Sequence, residues 1–148
     1  MNAKTRSLLA TILLAACVAL LFVRHALIAA NPIGIALQVL AALLMFWARF
    51  TFGMRSFHAT ANPTSGGLVA GGPYRYWRHP IYTAVLLFMW TGILAHGAPP
   101  TLLDLALGVL ATAMTLVRVL AEEQLLRQAM PEYGAYATRT KRFIPFLL

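Results

Sequence analysis

The sequence predicts an all-α integral membrane protein with about four transmembrane helices, a cytoplasmic loop and a short C-terminal amphipathic helix. Three observations lead to this fold class. Hydrophobic residues make up 60% of the 148 residues and charged residues only 11%, whereas a soluble domain carries about 25% charged residues. The apolar residues form long runs, and the few charges flank those runs. The length fits one domain over residues 1–148.

Four apolar runs are predicted to span the membrane, at about 7–23, 33–50, 80–96 and 102–122. The first lies at the lower length limit for a span. We interpret it as an uncleaved helix in which the single cysteine, Cys17, is a buried small hydrophobe. Pro80 suits the first position of the third helix, because it has no N–H to lose. Thr101 or Asp104 can cap the fourth.

Helix-forming residues at 121–130 predict that the fourth helix continues beyond the membrane. Pro131 then restarts the chain as a short amphipathic helix, with Tyr133 and Tyr136 spaced i, i+3, within a C-terminal segment 123–148. The loop 51–79 is long for a connection between packed helices, and such loops are usually functional. Its paired glycines permit close backbone approach to a ligand. The alternative is a flexible surface linker.

The basic residues predict the orientation in the membrane. The formal net charge is +8, and with four spans every lysine and arginine except Arg24 falls on one side. The positive-inside rule then places both termini, the loop and the candidate site in the cytoplasm. Anionic lipid headgroups are the expected counter-charge, and nucleic acid is not expected as a partner.

Arg118 and Glu122 are the first candidates for chemistry. They are four residues apart, so they share one face of the fourth helix. Ionisable residues at membrane depth are functional candidates, although a snorkelling interfacial arginine is the alternative for Arg118. Glu123 points about 100° away from Glu122. We interpret Glu123 as mainly structural, in a helix pair with Arg127.

His79 stands at the start of the third helix, where first-turn amides can bind a carboxylate or phosphate. No second histidine or cysteine lies at metal-ligand spacing, so no metal site is predicted. The sequence also lacks a P-loop, a Rossmann fingerprint and a Gly-x-Ser-x-Gly motif.

Four blocks of sequence resemble the isoprenylcysteine carboxyl methyltransferase family and its phospholipid methyltransferase relatives, in the manner of a short bacterial-type member. The resemblance covers roughly residues 59–145. The blocks are Gly72-Pro73-Tyr74 with Arg78-His79-Pro80-Ile81-Tyr82, then Glu122-Glu123-x-x-Leu126, then Tyr133-x-x-Tyr136, and finally Arg142-Phe143-Ile144-Pro145.

The resemblance implies S-adenosylmethionine as the cofactor, with S-adenosylhomocysteine as the product. It implies that Arg118 binds the methyl acceptor and that Arg118 and Glu122 are catalytic. The family's more polar residues are replaced here by Gly66-Gly67, so their side-chain roles do not carry over. The implied cofactor-binding residues are Gly66, Gly67, Leu68, Val69, Tyr74, His79, Pro80, Ile81, Tyr82 and Glu122.

The expected function is methyl transfer to a lipophilic acceptor from the bilayer, in a bacterial inner membrane. A carboxylate acceptor is favoured because it needs only an orienting cation, for which Arg118 is suited. Two alternatives remain. An amine acceptor, such as a phospholipid, would need a base, for which Glu122 is the candidate. A non-enzymatic membrane scaffold would keep the fold without the chemistry.

Overall fold

The all-α prediction is confirmed. The computed structural model of the protein describes residues 2–53 and 67–143. The described elements are helices α1 (Ala3–Val23), α2 (Pro32–Phe52), α3 (Pro80–Ala95), α4 (Leu102–Ala129) and α5 (Tyr133–Arg139), with a 3₁₀ turn at Gly72–Arg75 before α3. The first two residues of the loop predicted at 51–79, Thr51 and Phe52, belong to α2, and the 3₁₀ turn lies within the predicted loop.

Side-chain caps set where the long helices begin. The Asn2 carboxamide accepts from the Thr5 amide at 2.8 Å, so α1 begins at Ala3, four residues before the apolar run predicted as a span. Thr101 and Asp104 cap each other's backbone at the start of α4. The predicted continuation of α4 beyond the apolar run is confirmed, since the helix extends to Ala129.

The helices are those of a membrane protein. Helices α1, α2 and α4 are long and apolar enough to cross a bilayer, whereas α3 is apolar but shorter. The 16 residues of α3 rise about 24 Å, less than the roughly 30 Å hydrocarbon core. Large apolar side chains point outward along the bundle, and Phe50 and Leu102 are both 84% exposed. A lipid environment removes the cost of this exposure.

Helices α1 and α4 pack antiparallel, and a side-chain hydrogen bond joins them at each end. Where α1 ends, Arg24 Nε donates to Asp104 Oδ1 at 2.6 Å. Where α1 begins, Arg6 Nη2 donates to Gln124 Oε1 at 2.8 Å. Between these two hydrogen bonds, Cys17 is buried at 3% exposure, which agrees with its interpretation as a small hydrophobe.

Helices α2 and α3 form the second antiparallel pair. The buried Gln38 carboxamide donates to the Leu27 carbonyl at 2.6 Å and to the Phe88 carbonyl at 3.2 Å. It therefore joins α2, the α1–α2 connection and α3 through one side chain. Gly92 lets α3 approach the α1–α2 connection closely, because a Cβ atom at this position would collide with the Leu27 carbonyl.

The two antiparallel pairs place the start of α1, the end of α2, the start of α3 and the end of α4 at the same end of the bundle. We call this the cationic end. It carries the described lysines and arginines other than Arg24, namely Lys4, Arg6, Arg49, Arg75, Arg78, Arg118, Arg127, Arg139, Lys141 and Arg142. Every motif singled out in the sequence belongs to this end, apart from residues outside the described ranges.

The C-terminal segment 140–143 crosses the start of α3. The Arg78 amide donates to the Lys141 carbonyl at 2.7 Å, and the His79 amide donates to the Arg142 carbonyl at 3.1 Å. The Thr83 hydroxyl also donates to the Phe143 carbonyl at 2.9 Å. The last sequence block is therefore a structural partner of the block that opens α3.

Candidate functional site

A chain of hydrogen bonds joins α3 and α4 at the cationic end. The Tyr82 hydroxyl donates to Glu122 Oε2 at 2.9 Å and accepts from Arg118 Nε at 2.6 Å. The Arg118 guanidinium carbon also lies 5.8 Å from the centre of the Tyr82 ring. All three residues are half-buried. Helical spacing predicted that Arg118 and Glu122 share a face, and the structure adds Tyr82 as the bridge between them.

Helix α1 also contributes to this chain. Arg118 Nη1 donates to the Thr11 hydroxyl, and that hydroxyl in turn donates to the Ser7 carbonyl at 2.7 Å. The guanidinium is therefore held by Tyr82 on one side and by Thr11 on the other. Sequence reasoning missed Thr11. The available signal was a hydroxyl inside an apolar run, on a helix predicted to begin on the same side of the membrane as Arg118.

Glu123 belongs to a separate, buried network. Its carboxylate accepts from Arg78 Nε at 3.1 Å and from Arg142 at 3.1 Å and 3.0 Å through Nε and Nη2. The His79 ring nitrogen lies 3.4 Å from the same carboxylate. Arg78 additionally donates to the carbonyls of Ala137 and Thr140. One carboxylate thus ties α4 to the start of α3 and to the C-terminal segment.

The predicted helix pair between Glu123 and Arg127 is wrong. Glu123 takes its arginines from the start of α3 and from the C-terminal segment, and the Arg127 guanidinium instead lies over the Tyr133 ring, 5.7 Å from its centre. The expectation that Glu123 has a structural role agrees with this geometry, because 4% of its side chain is exposed.

Among the described loop residues that are implied to bind the cofactor, Leu68 lies against α5. Gly67 adopts a positive φ of 77°, and Leu68 packs on a buried cluster of Met130, Tyr133 and Tyr136. Val69 is half-buried. Gly66 lies outside the described residues.

Tyr74 connects the 3₁₀ turn to α2 and α5. Its ring lies 5.4 Å from that of Phe52, and its carbonyl accepts from the Tyr136 hydroxyl at 2.7 Å. Burial raises the pKa of Tyr136 to about 12, so this phenol remains a donor at neutral pH. Burial, and then the nearby Glu122 carboxylate, raise the pKa of Tyr74.

The structure explains why one position of the loop is a glycine. Gly72 has a positive φ of 54°, and a Cβ atom there would collide with the Thr51 side chain. Gly72 therefore allows the loop backbone to lie close to α2. The expectation that the paired glycines approach a ligand stays a prediction.

The start of α3 is formed as predicted, with Pro80 at the first helical position and His79 at the cap. The His79 side chain makes no capping hydrogen bond, because it is buried and directed at Glu123. Pro80 is buried and Ile81 half-buried beside Tyr82. The structure therefore brings Tyr82 to Glu122 and Arg118, and brings the His79 imidazole to Glu123 instead.

Comparison with known proteins now identifies the family. The phospholipid methyltransferase family matches residues 31–132, well over half of the chain. The chain belongs to the phospholipid methyltransferase family. The resemblance seen in the sequence blocks is confirmed at this level.

Two relatives share part of the sequence. The cobalt-zinc-cadmium resistance protein CzcN of Cupriavidus metallidurans is 41% identical over 83 residues, which is 54% of this chain and 36% of that protein. The nickel-cobalt-cadmium resistance protein NccN of Alcaligenes xylosoxydans xylosoxydans is 37% identical over 83 residues, or 54% of this chain and 37% of that protein. The chain therefore covers little more than a third of these relatives. No solved structure matches the chain.

Both relatives are named for metal resistance. Within residues 2–53 and 67–143, no group of three or more histidine, cysteine, aspartate or glutamate side chains is placed to hold a metal ion. The sequence-based expectation of no metal site stays a prediction.

Proposed function

We propose that this protein transfers the methyl group of S-adenosylmethionine to a lipophilic acceptor that enters from the bilayer. The observation that supports this most is the half-buried chain Glu122–Tyr82–Arg118 at the cationic end. It combines an anion and an oriented cation beside apolar helix surfaces. Family membership supplies the reaction class.

The residues present fit the cofactor. A carboxylate such as Glu122 suits the amine or the ribose hydroxyls of S-adenosylmethionine. The methionyl carboxylate suits the first-turn amides of α3 beyond Pro80, which have no intrahelical partner. Leu68 and Val69 supply the apolar side chains that the family resemblance implies for cofactor binding. When bound, the cofactor supplies an electrophilic methyl group on a positively charged sulfur.

Arg118 is the residue that we assign to the acceptor. Methyl transfer requires the nucleophile, the methyl carbon and the sulfur in line, so positioning supplies most of the catalysis. Two nitrogens of Arg118 are held by Tyr82 and Thr11, which fixes the plane of the guanidinium. A planar guanidinium in a fixed orientation suits a carboxylate acceptor.

An amine acceptor is the second candidate, and the hydrogen bond from Tyr82 to Glu122 favours it. Glu122 in that contact would take the proton released by a methylated amine, directly or through the phenol. A methyl-transfer screen over lipid carboxylates and lipid amines separates the two. Methylation of carboxylates alone supports the first, and methylation of amines alone supports the second.

Cofactor binding tests the proposal itself. We expect Glu122→Ala to weaken S-adenosylhomocysteine binding by about 1–3 kcal/mol, the size of a lost hydrogen bond to a charged group. Calorimetric titration in detergent measures it. Glu132→Ala removes the same charge from an exposed position in the α4–α5 connection and should leave the affinity unchanged. No binding by the native protein would contradict the proposed activity.

We further propose that the cationic end, with both termini, faces the cytoplasm of a bacterial cell. Single cysteines introduced as Gln128→Cys and Ala98→Cys, in a Cys17→Ala background, mark the two ends of α4 at exposed positions. A membrane-impermeant thiol reagent applied to intact inner-membrane vesicles of known orientation should label one of them only. Labelling of both from the same side would contradict a spanning α4.

A further inference from the structure

Two buried polar atoms lack a hydrogen-bond partner among the described residues, the Trp77 indole nitrogen and the Tyr133 hydroxyl. Trp77 is half-buried, but Tyr133 is only 1% exposed. An unpaired buried hydroxyl costs roughly 1–3 kcal/mol, so native structures rarely retain one without a reason. Tyr133 therefore needs an explanation that packing alone does not give.

The neighbour of Tyr133 on the same helix makes a useful contrast. Tyr136 lies three residues further along α5, and the two rings are 5.9 Å apart. The Tyr136 hydroxyl donates to the Tyr74 carbonyl. One phenol thus completes the fold, whereas the other presents a hydrogen-bonding group that the described fold does not use.

The surroundings of Tyr133 indicate what such a group would bind. Met130, Leu68 and Leu126 provide apolar surface around it, and the guanidinium of Arg127 lies over its ring. Burial, followed by the negative charge of Glu123, raises the pKa of Tyr133, and Glu122 adds a smaller effect in the same direction. The phenol therefore stays protonated, and it belongs to the buried cluster on which Leu68, an implied cofactor-binding residue, packs.

We propose that the Tyr133 hydroxyl hydrogen-bonds the adenosyl half of bound S-adenosylmethionine, so that α5 forms part of the cofactor site. This inference rests on the proposed function. The apolar and aromatic lining suits a flat purine and its ribose. The charged methionyl half suits the start of α3 and the carboxylate of Glu122 instead. The hydroxyl would gain on binding the partner that it lacks in the described residues.

The experiment compares Tyr133→Phe with Tyr136→Phe in the full-length protein. Each variant removes one phenolic oxygen from the same helix. The probes are S-adenosylhomocysteine and 5′-methylthioadenosine, which keeps the adenosyl half and lacks the amino-acid half. Affinities come from calorimetry in detergent, with the nucleoside measured in competition. Thermal unfolding without ligand is recorded for both variants.

We expect Tyr133→Phe to weaken both probes by the same factor, about fivefold, which is the range of one neutral hydrogen bond. Its unfolding temperature should not fall, because no protein partner is lost. Tyr136→Phe should show the reverse, a lower unfolding temperature with native affinity.

Three results would overturn the assignment. Native affinity in Tyr133→Phe would remove the phenol from the site. A weakened affinity for S-adenosylhomocysteine but not for 5′-methylthioadenosine would move the contact to the amino-acid half. An unfolding temperature lowered as much as in Tyr136→Phe would make Tyr133 structural. If the native protein bound neither probe, the proposed function itself would fail, which is a distinguishable outcome.

Discussion

Glu122 and Glu123 are adjacent in sequence but belong to two different regions of the molecule. Glu123 faces a closed network, where Arg78, Arg142 and the His79 ring surround a buried carboxylate. Glu122 faces a half-buried chain through Tyr82 to Arg118. One step along a helix rotates a side chain by about 100°. That rotation is enough to direct one carboxylate into the buried network and the other into the half-buried chain that we propose as the site.

The largest expected effect tests the buried network around Glu123. Glu123→Gln keeps the size of the side chain but removes the charge that compensates Arg78, whose side chain is 9% exposed. Breaking a buried ion pair from one side costs about 3–5 kcal/mol, because a buried charge is left uncompensated. We therefore expect a large fall in the unfolding temperature in detergent.

Glu122→Gln is the matched control for that variant, since it makes the same chemical change one residue earlier. We expect its free energy of unfolding to change by less than about 1 kcal/mol, because the half-buried amide can still accept from Tyr82. Equal destabilisation of the two variants would mean that the division between a structural and a functional glutamate is wrong.

The second prediction concerns Arg118, the cation of the half-buried chain that includes Tyr82 and Glu122. Arg118→Lys keeps the positive charge but loses the planar group that Tyr82 and Thr11 orient. A lysine cannot reproduce two parallel hydrogen bonds to a carboxylate. We expect S-adenosylhomocysteine affinity to stay within about twofold while methyl transfer falls at least about tenfold, a barrier change of roughly 1.4 kcal/mol.

An interface anchor would behave differently. Lysine snorkels as well as arginine does, so a purely interfacial Arg118 would tolerate the substitution with full turnover. Both measurements are made on one preparation. Full activity of Arg118→Lys would mean that Arg118 is only an interface anchor. Arg139→Lys, at an exposed position on α5, controls for the change of cation type at the same end of the bundle.

The sequence predicted the local features of this fold well, because they depend on neighbours along the chain. The caps at Thr101 and Asp104, the first-turn proline of α3 and the extension of α4 follow from residues within one helical turn. The partner of Glu123 was predicted wrongly for the same reason. Helical spacing offers only residues three or four positions away, whereas Arg78 and Arg142 lie 45 and 19 positions away.

The candidate site was predictable in part. Helical spacing placed Arg118 and Glu122 on one face, and the family resemblance supplied Tyr82 as a member of the site. Neither argument indicated that Tyr82 bridges the other two, nor that α1 participates. Both facts depend on how three helices meet at the cationic end, and helix packing angles are not readable from a single sequence.

The smallest expected effect tests the contribution of α1. The Thr11 hydroxyl accepts from Arg118 Nη1, so it orients the guanidinium without being placed to touch the reacting atoms. Thr11→Val keeps the shape and removes that acceptor. We expect kcat to fall about two- to tenfold, or roughly 0.5–1.5 kcal/mol, with cofactor affinity unchanged. Thr11→Ser keeps the hydroxyl and should restore most of the rate. This rescue separates a positioning role from packing, because serine lacks the methyl group that valine retains. If Thr11→Ser lost as much rate as Thr11→Val, or if Thr11→Val were fully active, α1 would have no part in orienting Arg118.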